Sequence, residues 1–279
     1  MSASFRIIGS AVPETPVVLS VPHAGRLYPP AIGAALRAPP ARLSALEDRY
    51  VDHVALGARR HETLLLQDAP RAWIDLNRAE HERDPLLDDG ARRTNLSAKV
   101  RAGLGIVPRR TGATGDIWRR RLRAEEVEAR IASDYRPYHQ ALGEVLARAR
   151  DRFGIAVLLD LHSMPPLPSG RTRMVVGDRF GQAAASRFVE RVQAEIEAHG
   201  LIHALNSPYA GGHILERHAR PTEGVHAVQL EIDRSLYLDG RLDMVGAGLA
   251  RTTALVRAII DGLSEEAIGD ANAVAQAAE

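Results

Sequence analysis

The chain has 279 residues, 45% of them hydrophobic and 25% charged, with a formal net charge of +1. This composition supplies a full hydrophobic core and excludes general disorder, and the near-zero charge excludes a field that steers the protein to nucleic acid or an anionic membrane. With no cysteine, thiol nucleophiles, disulfides and cysteine-bound zinc are excluded, so a metal would need His, Asp and Glu.

The first residues, MSASFRIIGSAVPETP, hold no apolar core of signal-peptide length, and no apolar stretch approaches a membrane span. A cytoplasmic protein is the default expectation. PVVLSVPHAG (16–25) reads as a buried strand closed by a Pro/Gly turn. Residues 39–62 place Leu43, Leu46, Tyr50, Val54 and Leu56 at helical spacing and predict one helix. TLLLQDAPRAWIDLNR (63–78) predicts two short strands around an Asp-Ala-Pro turn.

Residues 79–123 are the least periodic part, rich in charge, Gly and Thr. A loop of that length in a compact domain points to a functional covering, here over a site. TGATGD within it reads as a flexible Gly/Thr loop. Residues 124–152 predict a long amphipathic helix bent near Pro137. Strands follow at IAVLLDLH and RTRMVVGD, then a helix over 181–199, a strand at GLIHALN, a glycine loop at YAGGHILERHA and a strand at GVHAVQLEID. A last helix spans about 241–263, and the tail over 263–279 frays or docks weakly. Alternating strands and helices with continuous apolar strands predict an α/β three-layer sandwich on a mostly parallel mixed sheet. No linker divides the chain, so residues 1–279 read as a single domain.

Four apolar runs stop in polar residues of one kind: VVLSVPH at His23, WIDLNR at Arg78, AVLLDLH at His162, and AVQLEI around Glu231. Ligands of open α/β sheets bind outside the carboxyl ends of the strands. Each residue alone has a bland reading as a loop or surface group; their coincidence points to a site. Glu231, flanked by Leu230 and Ile232, is the hardest to dismiss, because Glu is almost never buried without a partner. Two histidines do not complete a catalytic zinc site, which takes three protein ligands. LEDRYVD offers Glu47, Asp48 and Asp52 for the third, with Asp48 and Asp52 on one helix face. Asp160, two before His162 on the same strand face, suits a supporting carboxylate or a structural ion pair. H-E-x-x-H, G-x-S-x-G, the phosphate-binding loop and the dinucleotide fingerprint are absent. The Arg119–Arg123 run reads as a solvated helix face in a chain whose only lysine is Lys99.

SVPHAGRLYP, LEDRYVD, WIDLNR, LLDLHSMP, YAGGHI and GVHAVQLEIDRSLY, in this order from Ser20 to Tyr237, resemble the N-formylglutamate amidohydrolase family. The resemblance implies a phosphorylase/hydrolase-like fold akin to zinc exopeptidases, a divalent metal such as zinc, and cytoplasmic hydrolysis of N-formyl-L-glutamate within histidine degradation. It implies His23 and His162 as imidazole ligands. The residue three after His23 is Arg26, so the H-x-x-E pattern of carboxypeptidases fails, and Asp48 is taken as the acidic ligand. Glu231 is implied as general base and Arg78 as carboxylate clamp or oxyanion stabiliser. Asn77, Gly211, Gly212, His213 and His226 are implied as substrate contacts. The expected partner is a small N-acyl amino acid, with neither nucleic acid nor membrane, in a monomer or homodimer. A related acylase or carboxypeptidase, and a non-catalytic binding module on this fold, are the competing readings.

Overall fold

The computed structural model describes residues 4–37, 39–111, 115–168 and 170–277. Gly112, Ala113 and Thr114 of the Gly/Thr loop, and the last two residues of the tail, lie outside the described residues. The strands are β1 (Phe5–Ile8), β2 (Val17–Val21), β3 (Thr63–Gln67), β4 (Arg110–Thr111), β5 (Gly115–Asp116), β6 (Ala156–Met164), β7 (Thr172–Gly177), β8 (Ile202–Leu205) and β9 (Val225–Asp233). The helices are α1 (Pro30–Ala35), α2 (Val51–Ala58), α3 (Ala98–Arg101), α4 (Ala124–Arg130), α5 (Arg136–Phe153), α6 (Ser186–Ala198), α7 (His213–His218) and α8 (Leu249–Ala277). Two compact units are built from interleaved segments: Pro22–Asp48 and Leu66–Ala141 with the segment ending at Arg6 in one, Ile7–Val21, Arg49–Leu65 and Leu142 onward in the other.

The seven-stranded sheet runs in the order β1-β3-β2-β6-β9-β7-β8. β2, β6 and β9 pair in parallel, β7 pairs antiparallel to β9, and β8 is parallel to β7. The expected α/β class with a mostly parallel mixed sheet is what the chain forms. β2, β6 and β9 are buried at every position, as their near-continuous apolar runs require of strands covered on both faces. α2, α6 and α8 pack together and against one face of this sheet. α7 lies against β9, its N-cap Gly212 donating its N–H to Gln229 Oε1 at 3.2 Å.

Several predicted elements need correction. The single helix over 39–62 is a 3₁₀ segment, Pro40–Leu46, and then α2. Between them Glu47 is extended and Tyr50 is left-handed at φ 56°. Asp48 N–H donates to the carbonyl of His23 at 3.0 Å, and this long-range bond draws the chain out of helix. Asp48 and Asp52 therefore share no helix face. The second strand of 63–78 does not form. Asp75 Oδ1 accepts the Asn77 N–H at 2.9 Å, a local bond that curls the segment away from a ladder.

The long helix over 124–152 exists, but a π-helical turn at Ile131–Tyr135 separates α4 from α5. Pro137 lacks the N–H that would bond back one turn, so the register slips just before it. The glycine loop at 209–219 becomes helical from His213. α8 starts later than expected and continues through the tail to Ala277, with Leu263 and Ala267 buried. No helix among the described residues is long and apolar enough to cross a membrane.

Candidate active site

Strand register builds the first half of the site. His162 is the Cα partner of Glu231, Asp160 that of Gln229, and Ser20 that of Asp160. Paired residues present their side chains to the same face, and residues two apart repeat it. Ser20, Asp160, His162, Gln229 and Glu231 thus form one buried polar patch on an apolar sheet. His162 Nε2–H donates to Asp160 Oδ2 at 2.8 Å, and Ser20 Oγ donates to Asp160 Oδ1 at 2.6 Å. A carboxylate only accepts, so Nε2 carries a proton, and in the neutral ring Nδ1 carries the lone pair. Gln229 Nε2 donates to Glu231 Oε1 at 3.1 Å, while its own carbonyl is held by Gly212 N–H. Glu231 is thereby aimed by an amide that cannot rotate freely.

A second imidazole carries the same device. His23 follows β2 by two residues, and its Nε2–H donates to Asp75 Oδ1 at 2.8 Å. Its Nδ1 stands 3.6 Å from Asp48 Oδ2. Asp75 is fully buried, with Arg71 Nε at 2.8 Å and Arg78 Nε at 3.9 Å from Oδ2. Burial pushes the Asp75 carboxyl up, but the Arg71 and Arg78 charges and the interaction with His23 outweigh it and hold the group well below the usual carboxylate range. The Arg78 guanidinium donates from Nε to the Leu104 carbonyl at 2.9 Å and from Nη1 to the Asn77 carbonyl at 2.7 Å. Burial lowers its pKa, with Asp75 opposing the shift.

His23, Asp48 and His162 are all buried, and each offers one ligand atom within 4.8 Å of the others. Two imidazole nitrogens and one carboxylate oxygen are a donor set that zinc takes in three-ligand sites. Each imidazole's far nitrogen is bonded to a carboxylate, as it is in metal-ligating histidines. These residues fit a divalent cation.

The other predicted residues fall variously. Glu47 accepts the Tyr28 hydroxyl and Asp52 sits in the first turn of α2; neither belongs to the His–Asp–His group. Asn77 is buried beside Asp75. Gly211 adopts φ +105°, which a side chain rarely does, and a Cβ there would stand 2.7 Å from Leu215 Cδ2. His213 opens α7 with Nδ1 at 3.3 Å from Glu216 Oε2, a carboxylate that also pairs with Arg179. His226 does not join Glu231. Five residues before it on an unbroken strand, it faces the opposite side, stacks on Phe188 at 4.7 Å and accepts the Ala185 N–H at 3.3 Å. Sequence reasoning missed Asp75. The signal was present: an acid between Ile74 and Leu76, the pattern that singled out Glu231.

The family model of N-formylglutamate amidohydrolase matches residues 15–238. An N-formylglutamate deformylase of Pseudomonas aeruginosa is 30% identical over 265 residues, covering 90% of this chain and 93% of its own. One of Pseudomonas putida is 30% identical over 231 residues, covering 80% and 82%. The crystal structure of an N-formylglutamate amidohydrolase from Ralstonia eutropha superposes with a TM-score of 0.82 at 32% identity, covering 99% of both chains. These likenesses make the protein a hydrolase of carbon–nitrogen bonds other than peptide bonds. The chain belongs to the N-formylglutamate amidohydrolase family.

Proposed function

We propose that the protein hydrolyses N-formyl-L-glutamate to formate and L-glutamate, with His23, Asp48 and His162 holding a divalent cation such as zinc. The observation that carries this reading is the buried His–Asp–His group in a chain of this family. Such an ion supplies Lewis-acid polarisation of the formyl carbonyl and acidifies a water near neutral pH. The chain supplies the rest. Asp160 and Asp75 fix each imidazole with its lone pair on Nδ1. Glu231, aimed by Gln229, takes the proton of the attacking water and delivers it to the leaving amine nitrogen. Arg78 binds the α-carboxylate of the substrate through a guanidinium already fixed in place, which limits the entropy lost on binding. Asn77, Gly211 and His213 complete the contact set. Gly212 spends its N–H on Gln229 and serves by positioning the base.

The family match extends over segments of both compact units, which supports a single amidohydrolase domain. The mixed seven-stranded sheet supports a zinc-exopeptidase-like arrangement. The test is formate release. Zinc-loaded protein is expected to release formate from N-formyl-L-glutamate, to stop after chelation and to resume on adding zinc back. Undiminished turnover in fully chelated protein rejects the metal, and no turnover in metal-loaded protein rejects the substrate.

A further inference from the structure

The segment that presents Asp48 is short and irregular. Asp48 gives its N–H to the His23 carbonyl, Arg49 follows, and Tyr50 takes φ 56° before α2 begins. A bulky residue holds the left-handed conformation only where its surroundings impose it. Here they come from a loop far along the chain, over residues 237–246.

That loop is closed on itself. Leu238 and Val245 form an antiparallel bridge, Asp239 N–H donates to the Met244 carbonyl at 2.8 Å, and Gly246 N–H donates to the Tyr237 carbonyl at 2.8 Å. Asp239 Oδ1 accepts the Arg241 N–H at 3.2 Å and the Asp243 N–H at 2.9 Å. The loop then grips Arg49 twice. At its base Tyr237, fully buried, donates its hydroxyl to the Arg49 carbonyl at 2.7 Å. At its tip the Asp243 carbonyl accepts Arg49 Nε at 3.0 Å, and the Asp243 carboxylate pairs with Nη2 at 2.8 Å. The Tyr50 hydroxyl stands 3.6 Å from Met244 Sδ beside them.

A buried tyrosine needs a partner for its hydroxyl, and any carbonyl would serve. The one taken here belongs to the peptide that enters the left-handed turn directly after Arg49. Asp48 therefore lies between two pinned peptide planes: its own N–H is held by His23, and the Arg49 carbonyl is held by Tyr237. Tyr237 also continues the run of chain that carries Glu231, through the end of β9 and a 3₁₀ turn at Arg234–Leu236 whose first N–H groups Asp233 caps at Ser235. We infer that Tyr237 is a positioning residue: its hydroxyl fixes the backbone that presents Asp48, and so sets where the Asp48 carboxylate stands for a cation. This rests on the metal reading above and deepens it.

The test compares zinc affinity, by competition with a chromogenic chelator, in wild type, Y237F, D243A and T252V. Y237F removes only the hydroxyl and should weaken zinc binding about tenfold. D243A, at the exposed tip, should weaken it about twofold to threefold. T252V is the control: the Thr252 hydroxyl is buried and donates to the Leu236 carbonyl at 3.1 Å, next to Tyr237 in the chain but with no bond to Arg49. It should bind zinc as wild type does. Formate release by Y237F should return to near the wild-type kcat at saturating zinc, which a general loss of packing would not allow. Wild-type zinc affinity in both Y237F and D243A overturns the assignment, and so does an equal loss in Y237F and T252V. A second arm needs neither metal nor turnover. Amide exchange over residues 47–51 of the metal-free protein should be faster in Y237F than in wild type; equal exchange overturns the proposal. If wild type itself takes up no zinc, the metal reading fails, while the exchange arm still decides Tyr237.

Discussion

His162 and His23 carry the same device on unlike supports. His162 stands on a central strand, and its carboxylate, Asp160, is two residues away on the same face, braced by Ser20 on the next strand. The period of the strand alone aligns the pair. His23 stands on a loop, and its carboxylate, Asp75, is 52 residues away in an irregular segment. Nothing periodic aligns that pair, so charge does: Arg71, Arg78 and the Asn77 N–H converge on Asp75. The sheet gives one imidazole its geometry through backbone register, while the loop holds the other through a buried ionic hub. The hub couples the His23 imidazole to Arg78, and the strand pair does not.

The largest expected effect comes from removing the strand-borne imidazole, the proposed ligand. His162→Ala should lose stoichiometric metal and, with it, several kcal/mol of transition-state stabilisation, on the order of a thousandfold or more in formate release. Metal analysis beside a formate assay checks this; full activity in the variant breaks the assignment. Glu231→Gln should keep its metal and lose about a hundredfold to ten-thousandfold in kcat. Loss of metal instead would make Glu231 a ligand.

Asp75→Asn and Asp160→Asn set the two supports against each other. Each should weaken metal binding about tenfold to a hundredfold. Asp75→Asn should also lower unfolding free energy by about 3 kcal/mol, because Arg71 and Arg78 are left facing a neutral amide in a buried place. Asp160→Asn should cost less, about 1.5–2 kcal/mol, since the donors left behind, the Ser20 hydroxyl and the His162 ring, include no arginine. Equal stability losses by urea denaturation would erase the distinction drawn between the supports.

The smallest effect is a control away from both dyads. Glu62 pairs with Arg257 at 2.9 Å. Burial pushes the Glu62 carboxyl up, but the Arg257 hydrogen bond and backbone donors outweigh it and hold the pKa below the ordinary 4.5. A carboxyl lowered on folding contributes stability that is complete above the unfolded value and is lost as pH falls through the folded one. Stability should therefore decline below about pH 4.5, and Glu62→Gln should flatten part of that decline with metal content unaltered. An identical pH profile in the variant contradicts this.

The same contrast explains what the sequence could disclose. β2, β6 and β9 were legible because a strand buried on both faces needs an uninterrupted apolar run. Glu231 was legible because an acid inside such a run demands a partner. His226 was grouped with Glu231 although its odd separation already put it on the opposite face. Asp75 escaped because WIDLNR was read as a strand, and the Asp75 bonds that curl it are not periodic. The break at LEDRYVD was hidden for a related reason. The bond that stops the helix joins Asp48 to His23, and no local propensity encodes a partner so far along the chain.

The most direct test of the central claim is anomalous diffraction at the zinc edge from crystals of the zinc-loaded protein. The account predicts one strong peak about 2.0–2.2 Å from Nδ1 of His23, Nδ1 of His162 and a carboxylate oxygen of Asp48. A peak bound through other residues, or no peak in protein that releases formate, would contradict it.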